Sequence, residues 1–183
     1  MDESWVAVNS PHVKLAIDIG IKNFAVCRVQ GQNVTYCNKF AIGTTKQPMN
    51  ELIDTLIRLF ENEPLIFLEG INRVVIEQQK GHLAVKNFAL STAVYAIYQS
   101  RHIIVEFENP TVKFKKLKAL KATGEIMGLE NLDFDQKGKA LKKLAIETAS
   151  VLAVHHGHAV YNSAVGLNKK LDDLADCYLM AIL

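Results

Sequence analysis

Four acidic residues stand on segments that are otherwise apolar. They are Asp18 in Lys14-Leu-Ala-Ile-Asp18-Ile-Gly20, Glu77 in Arg73-Val-Val-Ile-Glu77-Gln-Gln79, and Asp173 with Asp176 in Leu171-Asp-Asp173-Leu-Ala-Asp176-Cys177. A carboxylate inside a buried strand is costly unless a cation or hydrogen-bond donors meet it. Several together repel one another, and a divalent cation relieves that repulsion. All-oxygen donors suit Mg²⁺, with Mn²⁺ as substitute. Two ions ~3.5–4 Å apart would hydrolyse a phosphodiester, one activating water and the other stabilising the leaving oxygen.

Asp173 and Asp176 are three apart on a helix and share one face. Asp172 points about 100° away and is expected to be solvated or a cap. Each acid alone has an ordinary role: a strand-end turn for Asp18, a surface acid for Glu77, a helix-start cluster for residues 172–176. Their joint occurrence argues for a site.

A second signal is basic. Between residues 113 and 143 nine lysines face four acids, a local excess of five on a chain whose formal net charge is +2. Such clustering is a phosphate-backbone footprint, with salt-sensitive, largely sequence-independent binding. Lys169 and Lys170 add charge beside the acidic helix. His155-His156-Gly-His158 suits a positive or capping role at a helix end better than metal ligation. Tyr95 and Tyr98, at helical spacing, suit core or a dimer face.

The elements that must position these groups follow from hydrophobic periodicity. Residues 1–13 read as a loose leader and 14–183 as a single domain. Strands are expected at 14–18, 24–29 and 34–42, the last two joined by the Gly31-Gln-Asn33 turn. Pro48 suits the start of a helix over 49–60. The run 65–68 extends that helix exit or begins a strand. A strand at 74–76, a long helix over 83–100 and a strand at 102–107 follow. Residues 111–138 read as polar, lysine-rich and mobile, ahead of helices over 139–155 and 171–183. The order β-β-β-α-β-α-β-loop-α-α is mixed α/β, a central sheet with antiparallel and parallel pairings and helices on both faces.

At 183 residues, 49% hydrophobic and 22% charged, the chain is an ordinary globular domain. Cys27, Cys37 and Cys177 are an odd set without a C-x-x-C pair, which fits small core residues in a reducing compartment. The acidic, non-apolar start is neither a signal nor a mitochondrial transit peptide, and no apolar run approaches the ~20 residues of a membrane span. The expectation is a soluble intracellular protein without a membrane partner or small-molecule cofactor.

Ile17-Asp18-Ile-Gly-Ile-Lys-Asn23, Val75-Ile-Glu77-Gln-Gln79 and Lys170-Leu-Asp-Asp173-Leu-Ala-Asp176 resemble the three acidic motifs of RuvC-type Holliday junction resolvases. The branch most similar holds poxvirus and other large-DNA-virus resolvases and the fungal mitochondrial enzymes. The resemblance spans residues 14–183. It implies an RNase H-like nuclease domain, a homodimer, and Mg²⁺-dependent symmetric cleavage of four-way DNA junctions, in recombination or in resolving viral genome concatemers. A viral protein of poxvirus type would act in the host cytoplasm. The catalytic, metal-holding acids carried over are Asp18, Glu77, Asp173 and Asp176, the D-x-x-D spacing selecting Asp173 over Asp172. Lys113 falls where the family carries a lysine near the scissile phosphate, with Lys115, Lys116 and Lys118 competing for that role. Lys139, Lys142 and Lys143 resemble junction-backbone contacts, and the helix over 83–100 corresponds to the family's dimer face. The alternatives are a related nuclease acting on other DNA or RNA structures, a non-catalytic junction-binding protein, and, disfavoured by length, an actin-like or sugar-kinase ATPase.

Overall fold

The apolar run that ends in Asp18 forms β1 (Val13–Asp18), the middle strand of a five-stranded sheet. This computed structural model describes residues 12–79, 84–136, 139–168 and 170–183, and of Lys139 only the backbone. The expected leader lies outside the described residues up to residue 11, and Val13 already belongs to β1.

β2 (Phe24–Gln30) and β3 (Asn33–Phe40) complete an antiparallel meander with β1. β4 (Arg73–Glu77) pairs parallel with β1, and β5 (Ile104–Glu108) pairs parallel with β4, giving the order β3-β2-β1-β4-β5. Strand alternation sorts the side chains. Leu15, Ile17, Val74 and Ile76 face one core, covered by α1 (Met49–Asn62), α2 (Pro64–Phe67) and α3 (Val85–Gln99). Ala16, Cys27 and Val75 face the other, covered by α4 (Val112–Thr123), α5 (Lys139–His155), α6 (Ala159–Leu167) and α7 (Asp172–Ile182). This is the mixed sheet with helices on both faces that the pattern implied. Among the described residues no helix is long and apolar enough to cross a membrane.

The run 65–68 proves to be the short helix α2, whose Phe67 is the hub of the first core. Its ring stacks on Phe60 at 4.4 Å between centroids and lies 5.6 Å from Phe40, while Tyr98 donates its hydroxyl hydrogen to the Phe67 carbonyl at 2.8 Å. Phe67→Ala should therefore cost ~3–5 kcal/mol of stability in chemical denaturation. A loss under about 1 kcal/mol would show that the site collapses without it.

The expectation of a mobile stretch over 111–138 is corrected. Residues 112–123 are helix α4, and Phe114, Leu117, Ile126, Leu129 and Phe134 are buried in the second core. Apolar residues three apart among lysines make a narrow buried stripe that composition alone conceals. Gly124, left-handed at φ 69°, ends α4, a stop the sequence did carry. The short α6, with Tyr161 and Ala164 buried, is a further helix the periodicity missed.

Candidate active site

β1 and β4 run parallel in register through Ile17 and Ile76, so Asp18 and Glu77 end neighbouring strands on the same sheet face. Adjacent strands lie ~4.8 Å apart, which sets these carboxylates side by side. The chain then turns through Gly20, where a Cβ would come within 2.7 Å of the Asn23 carbonyl oxygen. Helix α7 is docked by Cys177, whose thiol donates to the Ala16 carbonyl at 3.0 Å, and by Lys14, whose ammonium donates to the Met180 carbonyl at 3.1 Å. Its Asp173 and Asp176 thus join Asp18 and Glu77 along one cleft of about 580 Å³.

Lys113 lies among these acids. β5 ends at Glu108, and Asn109 Oδ1 accepts from the Thr111 amide at 3.0 Å, turning the chain into α4. The Lys113 side chain is 2% exposed; its Nζ stands 2.7 Å from Asp176 Oδ1 and 3.3 Å from Glu77 Oε1. The Glu77 contact is a hydrogen bond. The shorter one is an ion pair without hydrogen-bond alignment, for buried Asp176 Oδ1 accepts no directed bond. Burial opposes the Lys113 charge, but Asp176 and Glu77 outweigh it and hold its pKa above the ordinary lysine value. Asp18, 8% exposed, is held well above the carboxylate range, first by burial and then by repulsion from Glu77, Asp173 and Asp176. Burial also raises Asp176, against the opposing pull of Lys113.

Among the described residues no three carboxylate, imidazole or thiol groups converge closely enough to hold an ion as they stand. The donor set nevertheless fits a hard divalent cation. It is all oxygen, and Asp18 is repelled by Glu77, Asp173 and Asp176 with no cation among the described residues facing it. Asp18, Glu77, Asp173 and Asp176 are the residues that could hold it.

The expectation for Asp172 is corrected. It turns away from the cleft, as helix geometry required, but it is buried rather than solvated. Lys142 Nζ of α5 lies 2.5 Å from its Oδ2 and Lys170 Nζ 3.7 Å from its Oδ1. Burial opposes its ionisation, yet the two ammonium groups win and lower its pKa. Lys170 also reaches Asp173 Oδ2 at 2.8 Å.

Of the lysines singled out for DNA, Lys113 and Lys142 line the cleft. Lys115 is exposed on α4, Lys116 pairs with Glu108 at 2.9 Å, Lys118 pairs with Asp135, and Lys143 pairs with Glu147 at 3.3 Å. The Lys139 side chain lies outside the described residues. Lys170, noted in the sequence for its charge beside the acidic helix, also lines the cleft. Sequence reasoning left out Lys22, which lines it too, and Glu108, in register beside Glu77 on the next strand. The parallel register carried that last signal, and only the fold supplies it. His158 is structural: its Nε2 must donate to the Gln32 carbonyl at 2.9 Å, leaving Nδ1 to accept from the Tyr178 hydroxyl at 2.8 Å. The three cysteines are free and buried.

Neither a protein-family model nor a curated protein matches this sequence. Solved structures do match. The yeast mitochondrial Holliday junction resolvase Ydc2 superposes with a TM-score of 0.62 at 16% identity, over 94% of this chain and 78% of that one. Thermus thermophilus RuvC in complex with a Holliday junction substrate gives 0.56 at 15% identity, over 93% and 90%. A second structure of the same RuvC gives 0.52 at 17% identity, over 91% of each chain. The chain therefore has the RNase H-like fold of the RuvC-type Holliday junction resolvases.

Proposed function

We propose that this protein is a metal-dependent, structure-specific endonuclease that cleaves four-way DNA junctions symmetrically as a homodimer, in recombination or in the resolution of viral genome concatemers. One observation carries the reading: four carboxylates from β1, β4 and α7 line a single cleft with a buried lysine among them, in the fold of RuvC and Ydc2. Asp18, Glu77, Asp173 and Asp176 would hold Mg²⁺ or Mn²⁺, which supplies a Lewis acid for phosphodiester hydrolysis and an acidified water. Lys113 sits where its charge can meet the developing negative charge of the scissile phosphate. Lys142 and Lys170, at the rim, meet the flanking phosphates.

Symmetric cleavage needs two sites related by a two-fold axis. A surface suited to a second copy exists at the β5 edge, where Val85, Phe88 and Tyr95 of α3 and Phe107 are exposed and Tyr95 stacks on Phe107 at 5.7 Å. Phe88→Glu with Tyr95→Glu should yield a monomer in sedimentation analysis and uncouple the paired nicks. A persisting dimer would move the interface elsewhere.

The binding half of the proposal is tested with chelator present, so that no cleavage intervenes. A labelled four-way junction should bind at least ~10-fold more tightly than a linear duplex of the same composition. Equal affinities would contradict structure specificity.

A further inference from the structure

We infer that Asp172 is a positioning residue that fixes the ammonium groups of Lys142 and Lys170 at the rim of the acidic cleft, where they meet the phosphates flanking the reacting one. The inference rests on the nuclease reading. It starts from an oddity of α7: the acid beside Asp173 does not line the cleft, yet it is 8% exposed. A buried carboxylate needs partners, and those of Asp172 come from two other places in the chain. Lys142 reaches it from α5 at 2.5 Å and Lys170, from just ahead of α7, at 3.7 Å. Both lysine side chains are more than half exposed and both line the cleft. Their charges are therefore held from behind and presented forward.

The neighbouring lysine shows what an unanchored one does. Lys143 pairs with Glu147 of its own helix at 3.3 Å and does not line the cleft. Such an exposed i,i+4 contact is weak and readily exchanged. The Lys142 contact instead crosses from α5 to a buried group on α7, so the ammonium keeps one place and less side-chain entropy is lost when a phosphate arrives. Lys170 has a second reason to need Asp172. Its ammonium also lies 2.8 Å from Asp173 Oδ2. When Asp173 takes up another cation, Asp172 gives Lys170 a carboxylate to stay with at the rim. The Lys170 backbone is itself held, since Lys39 donates to its carbonyl.

Positioning and bare charge predict opposite signs. Asp172 is an anion beside the DNA path, so if charge were all, its removal would tighten DNA binding. If it positions Lys142, removal loosens binding. The experiment measures the affinity of wild type, Asp172→Asn, Asp172→Glu, Lys142→Met and the double variant D172N/K142M for a labelled four-way junction. It uses chelator over roughly 50–200 mM salt, with a thermal melt of each protein. Asp172→Asn should bind ~5-fold more weakly, and its salt dependence should fall by about one phosphate contact. Asp172→Glu should recover part of the loss. The double variant should lose less than the two single losses multiplied, because part of the Asp172 effect passes through the Lys142 ammonium and only the Lys170 part remains. Tighter or unchanged binding by Asp172→Asn overturns the inference, as does a lowered melting temperature with affinity and salt slope intact. Losses that multiply in the double variant overturn the route through Lys142. If wild type does not bind the junction, the nuclease reading has failed and this inference fails with it.

Discussion

Asp18→Asn is expected to slow cleavage of a four-way junction by about 10³-fold or more while leaving junction affinity in chelator equal to wild type or tighter. The substitution keeps the shape of the side chain and removes both a metal-holding charge and an anion facing the DNA. It should also stabilise the metal-free protein at neutral pH. The Asp18 carboxyl is held well above its ordinary range, first by burial and then by Glu77, Asp173 and Asp176. A carboxyl raised in the folded state contributes stability that is complete below its unfolded pKa of about 4 and is lost as pH rises through the folded value. The advantage of Asp18→Asn should thus be small in acid and largest at neutral pH and above. There the variant should melt above wild type in the absence of metal. Mg²⁺ or Mn²⁺ should raise the melting temperature of wild type and have little effect on the variant. Equal cleavage by the two proteins, or an equal response to the ion, would remove Asp18 from the site.

Lys113→Met is the second large effect. Cleavage should fall ~10²–10³-fold, the loss typical of one preorganised charge at a developing oxyanion. In the absence of DNA, Mn²⁺ binding, followed by calorimetry or electron paramagnetic resonance, should become tighter by about tenfold. The opposite signs have one cause. The ammonium stands 2.7 Å from Asp176 and 3.3 Å from Glu77, so it neutralises two of the four acids and competes with any other cation for them. Methionine is the informative replacement because the side chain is 2% exposed. Alanine would add a cavity and confuse stability with charge. Weaker Mn²⁺ binding by Lys113→Met would mean that the lysine gathers the acids rather than competing for them.

The parts of this arrangement legible in the sequence are those where one residue breaks a pattern. Asp18 and Glu77 interrupt apolar runs, and the D-x-x-D spacing places Asp173 and Asp176 on one face of α7; all four line the same cleft. The end of β1 at Asp18 and the bounds of α5 are legible for the same reason, whereas the strands expected at 34–42 and 102–107 run over Asn33–Phe40 and Ile104–Glu108. Asp172 shows the limit. Helix geometry gives the direction of a side chain but not what packs there, and α5 arriving with Lys142 turned an expected solvated acid into a buried one. The lysine-rich stretch failed differently: its composition hid the stripe of Phe114 and Leu117 that makes α4 a core helix. That helix is also what separates Lys113, which enters the cleft, from Lys115, Lys116 and Lys118, which do not line it. Several of the lysines that made the segment look like one basic face are paired with Asp135, Glu108, Glu147 or Asp172. Lys170 could be read from its place just ahead of the acidic helix, but Lys22 comes from a loop whose approach is set by tertiary packing, and no local pattern reports it.

The central claim is that this cleft cuts branched DNA with a divalent cation, and one gel tests it. A synthetic four-way junction, a linear duplex and an RNA–DNA hybrid, each labelled on one strand at a time, are incubated with Mg²⁺, Mn²⁺ or chelator. The nuclease reading predicts nicks at symmetry-related positions on two opposing strands of the junction alone, present with either ion and absent with chelator. Cleavage that persists in chelator, that falls on the duplex or hybrid as readily as on the junction, or that fails on all three with both ions would contradict it.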